Sequence, residues 1–200
     1  MCVDFPSRPD WFMHLPSGGK VPVLEMPNHR EEIIFESRIV VEFIEDAFCS
    51  IGIPLYPDDP IKKAHMKIFM IKFDELTPIY FNILKSFGND KDMIARLREH
   101  LARFNYILEE NVDSLFLFDS PQITMADIYS FPHIERMFYF SGSVIDPDGG
   151  KFKFSDFGAI NKWLNAMKKH EILKDHITDK EFFQKWLKSA KESGQISLVV

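Results

Sequence analysis

The chain has 200 residues, 46% hydrophobic and 27% charged, with a formal net charge of −6. That is enough apolar material for one large packed domain or two small ones, and twenty phenylalanines make the expected core rich in aromatic rings. An acidic chain with no basic block argues against a nucleic-acid or anionic-membrane partner, although a local pocket can still be positive for a small anion.

The start, MCVDFPSRPD, lacks the apolar run of a signal peptide, and no stretch is long and apolar enough to span a bilayer. The two cysteines, Cys2 and Cys49, form no CxxC pair and have no zinc-like spacing with the histidines. A reducing, cytoplasmic setting without a metal site is the expectation.

In chain order, KVPVLEM and EEIIFE are short β-rich runs joined by PNHR, whose Pro27 and Asn28 are turn formers, so a β-hairpin is predicted. Ser37 is expected to cap the helix RIVVEFIEDAF, with Ile39, Val40, Phe43, Ile44 and Ala47 at helical spacing. CSIGIPLYPDDP is punctuated by Gly and Pro and reads as a domain boundary. No convincing strand follows it.

Beyond that boundary about five helices are predicted. The first is long, preceded by Pro60 and kinked or interrupted by Pro78. The second places Met93, Leu97, Leu101, Phe104 and Leu108 on one face. The third opens with a capping box at Thr124 and Asp127. The fourth carries Phe157, Ile160, Trp163, Leu164 and Met167 in register, and the fifth opens with a box at Thr178 and Glu181.

Two short motifs stand out in the hairpin. Pro22 lies between Val21 and Val23, where it either starts a strand or, as a cis proline, turns the main chain of Val21 outward to pair with an extended peptide. Glu36 and Ser37 stand at a helix start. They are either an exposed acid beside a cap, or a pair holding an amino-acid zwitterion, with its carboxylate on the helix end and its ammonium on Glu36.

RPDWF, GKVPVLE, FES, YPDDP and ITMAD, in this order and spacing, resemble the omega class of cytosolic glutathione transferases from about Ser7 to near the C-terminus. The resemblance implies an α+β, mostly α chain. An incomplete thioredoxin-like part (a β-hairpin plus a helix, residues 1–50) would be followed by a linker at 51–59 and an all-helical domain at 60–200. It implies glutathione as co-substrate, with Val21 pairing to its cysteinyl main chain beside a cis Pro22. Glu36 and Ser37 would hold its γ-glutamyl end, and Arg8 its glycyl carboxylate. A small oxidised or electrophilic second substrate is implied, with Tyr129, Phe131, His133 and Trp186, and Phe138 beside them, as an aromatic wall. The bland reading of those rings is core packing. A homodimer through Ile61–Leu84 and Met93–Glu110 is also implied.

The family's catalytic cysteine, usually in Cys-Pro-Phe, opens a helix that the resemblance places ahead of this sequence. Cys2 is followed by Val-Asp. Cys49 closes a helix, where the dipole disfavours a thiolate, and is expected to be inert and half-buried. No catalytic residue is therefore assigned, and weak or absent turnover is expected. The alternative is a non-catalytic glutathione-binding or scaffold protein of the same fold. A bare edge at Val21–Glu25 and a partly uncovered helix at 38–48 are expected as well.

Overall fold

The computed structural model describes residues 8–26, 32–146 and 153–194, so Cys2 and the turn residues Pro27 and Asn28 lie outside the described residues. The chain forms two compact units, Met1–Leu55 and Tyr56–Val200. Residues 51–55 belong with the first unit rather than with a free linker. One reason is visible: the Leu55 amide donates to Glu45 Oε1 at 2.7 Å.

The first unit contains a short helix α1 (Asp10–Met13), strands β1 (Val23–Met26) and β2 (Glu32–Phe35), and helix α2 (Ser37–Phe48). β1 starts only after Pro22, which has no amide to give a ladder. The strands pair antiparallel, Val23 with Phe35 and Glu25 with Ile33. α2 packs on β2 and buries Val40, but Ile39, Ile44 and Phe48 stay exposed and Phe43 is half-buried. A two-stranded ribbon is too narrow to cover the whole apolar face of a three-turn helix.

Ser37 is not the cap that was expected. It is the first residue of α2, and Glu36 occupies the cap position with φ 69 and ψ 115 and no capping hydrogen bond from its side chain. A capping side chain needs extended backbone at its own residue. Here the chain turns from strand to helix at Glu36 through positive φ, which draws Ser37 into the helix.

The second unit holds six helices among the described residues: α3 (Pro60–Phe73), α4 (Leu76–Lys85), α5 (Lys91–Glu109), α6 (Met125–Phe138), α7 (Gly158–Lys169) and α8 (Lys180–Ser193). The extra helix comes from a full break in the predicted long one. Pro78 cannot donate to the carbonyl of Asp74, four residues earlier, and its ring crowds that carbonyl. The Asp74 carbonyl instead takes the Thr77 amide at 3.1 Å. Pro60 is the first residue of α3, where a missing donor costs nothing, and Asp59 caps it.

α5 buries Ile94, Leu97, Leu101, Phe104 and Leu108, while Met93 is only half-buried, so its core face is centred slightly later than predicted. The capping box of α6 forms as expected. That of α8 does not: Asp179 is the cap, accepting from the Glu181 and Phe182 amides at 2.8 and 3.1 Å. The main chain of Thr178 is engaged elsewhere, its amide on Glu135 Oε2 and its carbonyl on the Tyr139 hydroxyl.

Two buried carboxylates tie these helices together. Asp127 Oδ1 accepts from the Leu117 amide at 2.9 Å and from Trp163 Nε1 at 2.8 Å, while Oδ2 accepts from the Thr124 amide and hydroxyl. Burial pushes its pKa above the usual carboxylate value, and these hydrogen bonds hold the rise back. Glu135, 1% exposed, takes the Tyr139 hydroxyl and the Thr178 amide, with Lys168 Nζ 3.8 Å away. A third polar tie joins α5 to α7: Asn105 Oδ1 accepts the amides of Ala159 and Ile160 at 3.0 and 3.1 Å. α7 has no capping bond from its own preceding residue, Phe157.

Asp127→Ala strands the Trp163 and Leu117 donors inside the core. Buried unsatisfied donors cost about 1–3 kcal/mol each, so a loss of about 3 kcal/mol in unfolding free energy is expected from urea denaturation. A change below 1 kcal/mol would contradict this role.

Candidate functional site

Five predicted binding residues lie in the first unit. The hairpin register ends at the Val23–Phe35 pair, and Val21 and Ser37 each lie two residues beyond that end. The Val21–Pro22 bond is cis. Val21 is 44% exposed and borders a cavity of about 540 Å³. Ser37 and Glu36 are exposed where β2 hands over to α2, and no side chain of the cap residue occupies that helix start. The first-turn amides of a twelve-residue helix carry partial positive charge, suited to a carboxylate. Arg8 Nη1 donates to the Gly19 carbonyl at 3.2 Å, two residues ahead of Val21. Val21 on one side and Glu36 with the α2 start on the other thus flank the Val23–Phe35 end of the ribbon, and Arg8 is tied to the segment that leads into Val21.

The aromatic residues predicted for a second-substrate wall do not form one surface. Tyr129 and His133 lie on one side of α6, with ring centroids 6.5 Å apart, and both pack against Phe73 of α3. Phe131 points the other way, into the core against Trp163, and is 3% exposed. Helical periodicity dictates this: residues two apart on a helix face away from each other. Trp186 packs at a tilt against Phe183 in α8, and Phe138 against Phe154. Tyr129 and His133 are thus the pair that shares one side of α6, backed by Phe73. Burial is the main cause lowering the pKa of His133, the Arg136 charge adds to it, and Asp74 opposes it.

Cys49 is a free, exposed thiol just beyond α2, not half-buried as expected, because the flanking Phe48 and Ile51 also project outward. Among the described residues no cluster of three His, Cys, Asp or Glu side chains is arranged to hold a metal ion. No helix of the described residues is long and apolar enough to cross a membrane.

No family model matches the chain. Glutathione S-transferase omega-1 of Mus musculus is 28% identical over 188 residues, which are 92% of this chain and 72% of that protein. Its homologues are omega-class glutathione transferases. Solved structures agree on the fold. The trimeric glutathione transferase TDR1 of Leishmania superposes with a TM-score of 0.80 at 19% identity, covering 98% of this chain and 42% of the other. Glutathione transferase Omega 1C of Trametes versicolor gives 0.72 at 19% identity, covering 98% and 86%.

Three structural details escaped sequence reasoning. Gly19 has φ +72, a backbone conformation that favours glycine, and in it the Gly19 carbonyl accepts from Arg8. Asp74 accepts a hydrogen bond from the Tyr129 hydroxyl. That bond spans 55 residues, and no local pattern signals it. Phe73, read only as helix, supports both Tyr129 and His133.

The lowered pKa of His133 has a signed consequence. Between its folded pKa and about 6.5 the unfolded chain binds more protons than the folded one, so stability rises with pH there and is lost on acidification. Urea midpoints measured from pH 7.5 down to 5 should fall in the wild type, and the His133→Asn slope should be shallower. Parallel profiles would refute the assignment.

Proposed function

We propose that the chain acts as an omega-like glutathione transferase polypeptide whose first unit binds glutathione as co-substrate. The tripeptide's cysteinyl main chain lies along Val21 beside Pro22. Its γ-glutamyl carboxylate rests on the start of α2 at Ser37, its ammonium on Glu36, and its glycyl carboxylate near Arg8. The observation that carries this reading is the convergence of Val21 and the α2 start at one end of the hairpin, with Glu36 at φ 69. A non-glycine residue held at positive φ costs about 1–3 kcal/mol and tends to mark a functional turn. The implied chemistry is thiol transfer to a small oxidised or electrophilic substrate in the cytoplasm, with Tyr129 and His133 on its aromatic wall.

No Cys-Pro-Phe occurs in the 200 residues. Weak or no thioltransferase and dehydroascorbate-reducing turnover is therefore expected from the purified chain. Robust activity abolished by Cys49→Ser would overturn that assignment. Binding is tested separately by retention on immobilised glutathione. Two charge-assisted hydrogen bonds are at stake, so Glu36→Ala with Ser37→Ala should weaken binding about tenfold or more. No retention of the unmutated chain would sink the glutathione reading.

The same reading includes a homodimer through Ile61–Leu84 and Met93–Glu110. In support, Ile61, Ile68 and Ile71 of α3 and Tyr106 of α5 are all more than half exposed. Aligned apolar residues at this spacing suit a helix–helix seam. Sedimentation should show a dimer that Ile68→Asp dissociates. A monomer or a trimer for the unmutated chain would reject it.

A further inference from the structure

The second unit carries a cavity of about 220 Å³ at the corner where α3 breaks into α4, lined on its other side by α5. Three of its lining residues are phenylalanines. The rings of Phe69, Phe73 and Phe104 cluster with centroids 6.0, 5.9 and 5.9 Å apart. Phe73 and Phe104 are buried, and Phe69 is half-buried.

The charges at the edge of this cavity do not balance. Lys72 is paired with Glu75 at 3.3 Å. Among the described residues, no carboxylate lies within ion-pair distance of Arg103. Arg96, His100 and Arg103 recur at i, i+4 and i+7, on one side of α5. Burial is the main cause lowering the pKa of His100; the charges of Arg103 and Arg96 add to it, and Glu75 and Glu99 oppose it. The α5 edge thus holds positive charge that its own carboxylates leave uncompensated.

We propose that this cavity binds a small planar aromatic carboxylate, its ring against Phe69, Phe73 and Phe104 and its carboxylate on Arg103 beside His100. Aromatic rings favour edge-on and offset contact with other rings. A guanidinium fork meets both oxygens of a carboxylate at once. The volume is below the roughly 300–1,000 Å³ of sites for drug-sized ligands, which limits the occupant to one or two fused rings. The site lies wholly in the second unit, so it does not rest on glutathione binding. It does lie among the helices assigned above to a homodimer, and the test separates the two.

The full 200-residue chain, labelled with ¹⁵N, is titrated with 2-naphthoate and with its neutral counterpart 2-naphthamide. Amide shifts confined to residues 69–76 and 100–107 are expected. The acid should bind about tenfold more tightly than the amide, the scale of one hydrogen bond to a charged group. Arg103→Gln, at an exposed position, should bring the two affinities together, and Phe69→Ala should weaken both alike. Bound naphthoate should also raise the His100 pKa, read from its ring C–H shifts, because an anion favours the imidazolium. By linkage, naphthoate should bind more tightly as pH falls through that pKa. Neither variant should alter retention on immobilised glutathione, so failure here and failure of the glutathione reading are distinguishable.

Equal affinity of the unmutated chain for acid and amide, an unchanged preference in Arg103→Gln, or shifts elsewhere in the chain overturns the proposal. The same shifts produced by inorganic phosphate at equal concentration overturn it in favour of a bare anion site. Naphthoate binding that appears only in Ile68→Asp overturns it in favour of a second copy covering the cavity.

Discussion

The carboxylate of Asp127 is withdrawn from solvent and shared among the start of α6, the main chain at Leu117 and the indole of Trp163. Desolvating such a group is expensive unless its lone pairs are filled, and here four donors from three chain segments fill them. The segments are therefore not free to move independently. Trp163, fixed at its nitrogen, lies edge-on to Phe104 at 5.2 Å, and Phe104 contacts Phe73 at 5.9 Å. Phe73 in turn backs Tyr129 and His133. The polar anchor in the first turn of α6 is thus linked, through successive ring contacts, to the Tyr129 and His133 side of the same helix.

What was legible in the sequence follows the range of the forces involved. Helical periodicity is local, so α5 to α8 could be placed from the apolar spacing, α3 and α4 as one helix interrupted near Pro78, and the hairpin from β-rich runs flanking turn formers. Caps were less secure. Thr124 and Asp127 form their box, but at Ser37 and Thr178 the cap fell one residue away. In one case a positive φ at Glu36 absorbs the turn. In the other, Asp179 competes successfully while the Thr178 main chain serves Glu135. The full break at Asp74 follows from Pro78, yet its second use, receiving the Tyr129 hydroxyl, spans 55 residues and leaves no local trace.

The end of the first unit that carries Val21 and Ser37 was readable as residue types but not as geometry. Val21 and Ser37 lie far apart in sequence, and only the register of a four-residue ribbon brings them to the same end. The aromatic residues show the converse. Tyr129, Phe131 and His133 are close in sequence, but a helix turns Phe131 to the opposite side. Composition marks such residues as sticky; only the helical phase decides which of them meets a ligand and which meets the core.

Asn105 illustrates a different dependence. Its side chain, on α5, serves as the cap of α7, whose own preceding residue provides none. A peptide cut out at 158–169 would begin with a glycine and bare amides, a poor nucleus for a helix in water. Order in α7 is thus borrowed from a helix more than fifty residues upstream, so the two should open and close together, as one block with a shared hydrogen-exchange lifetime.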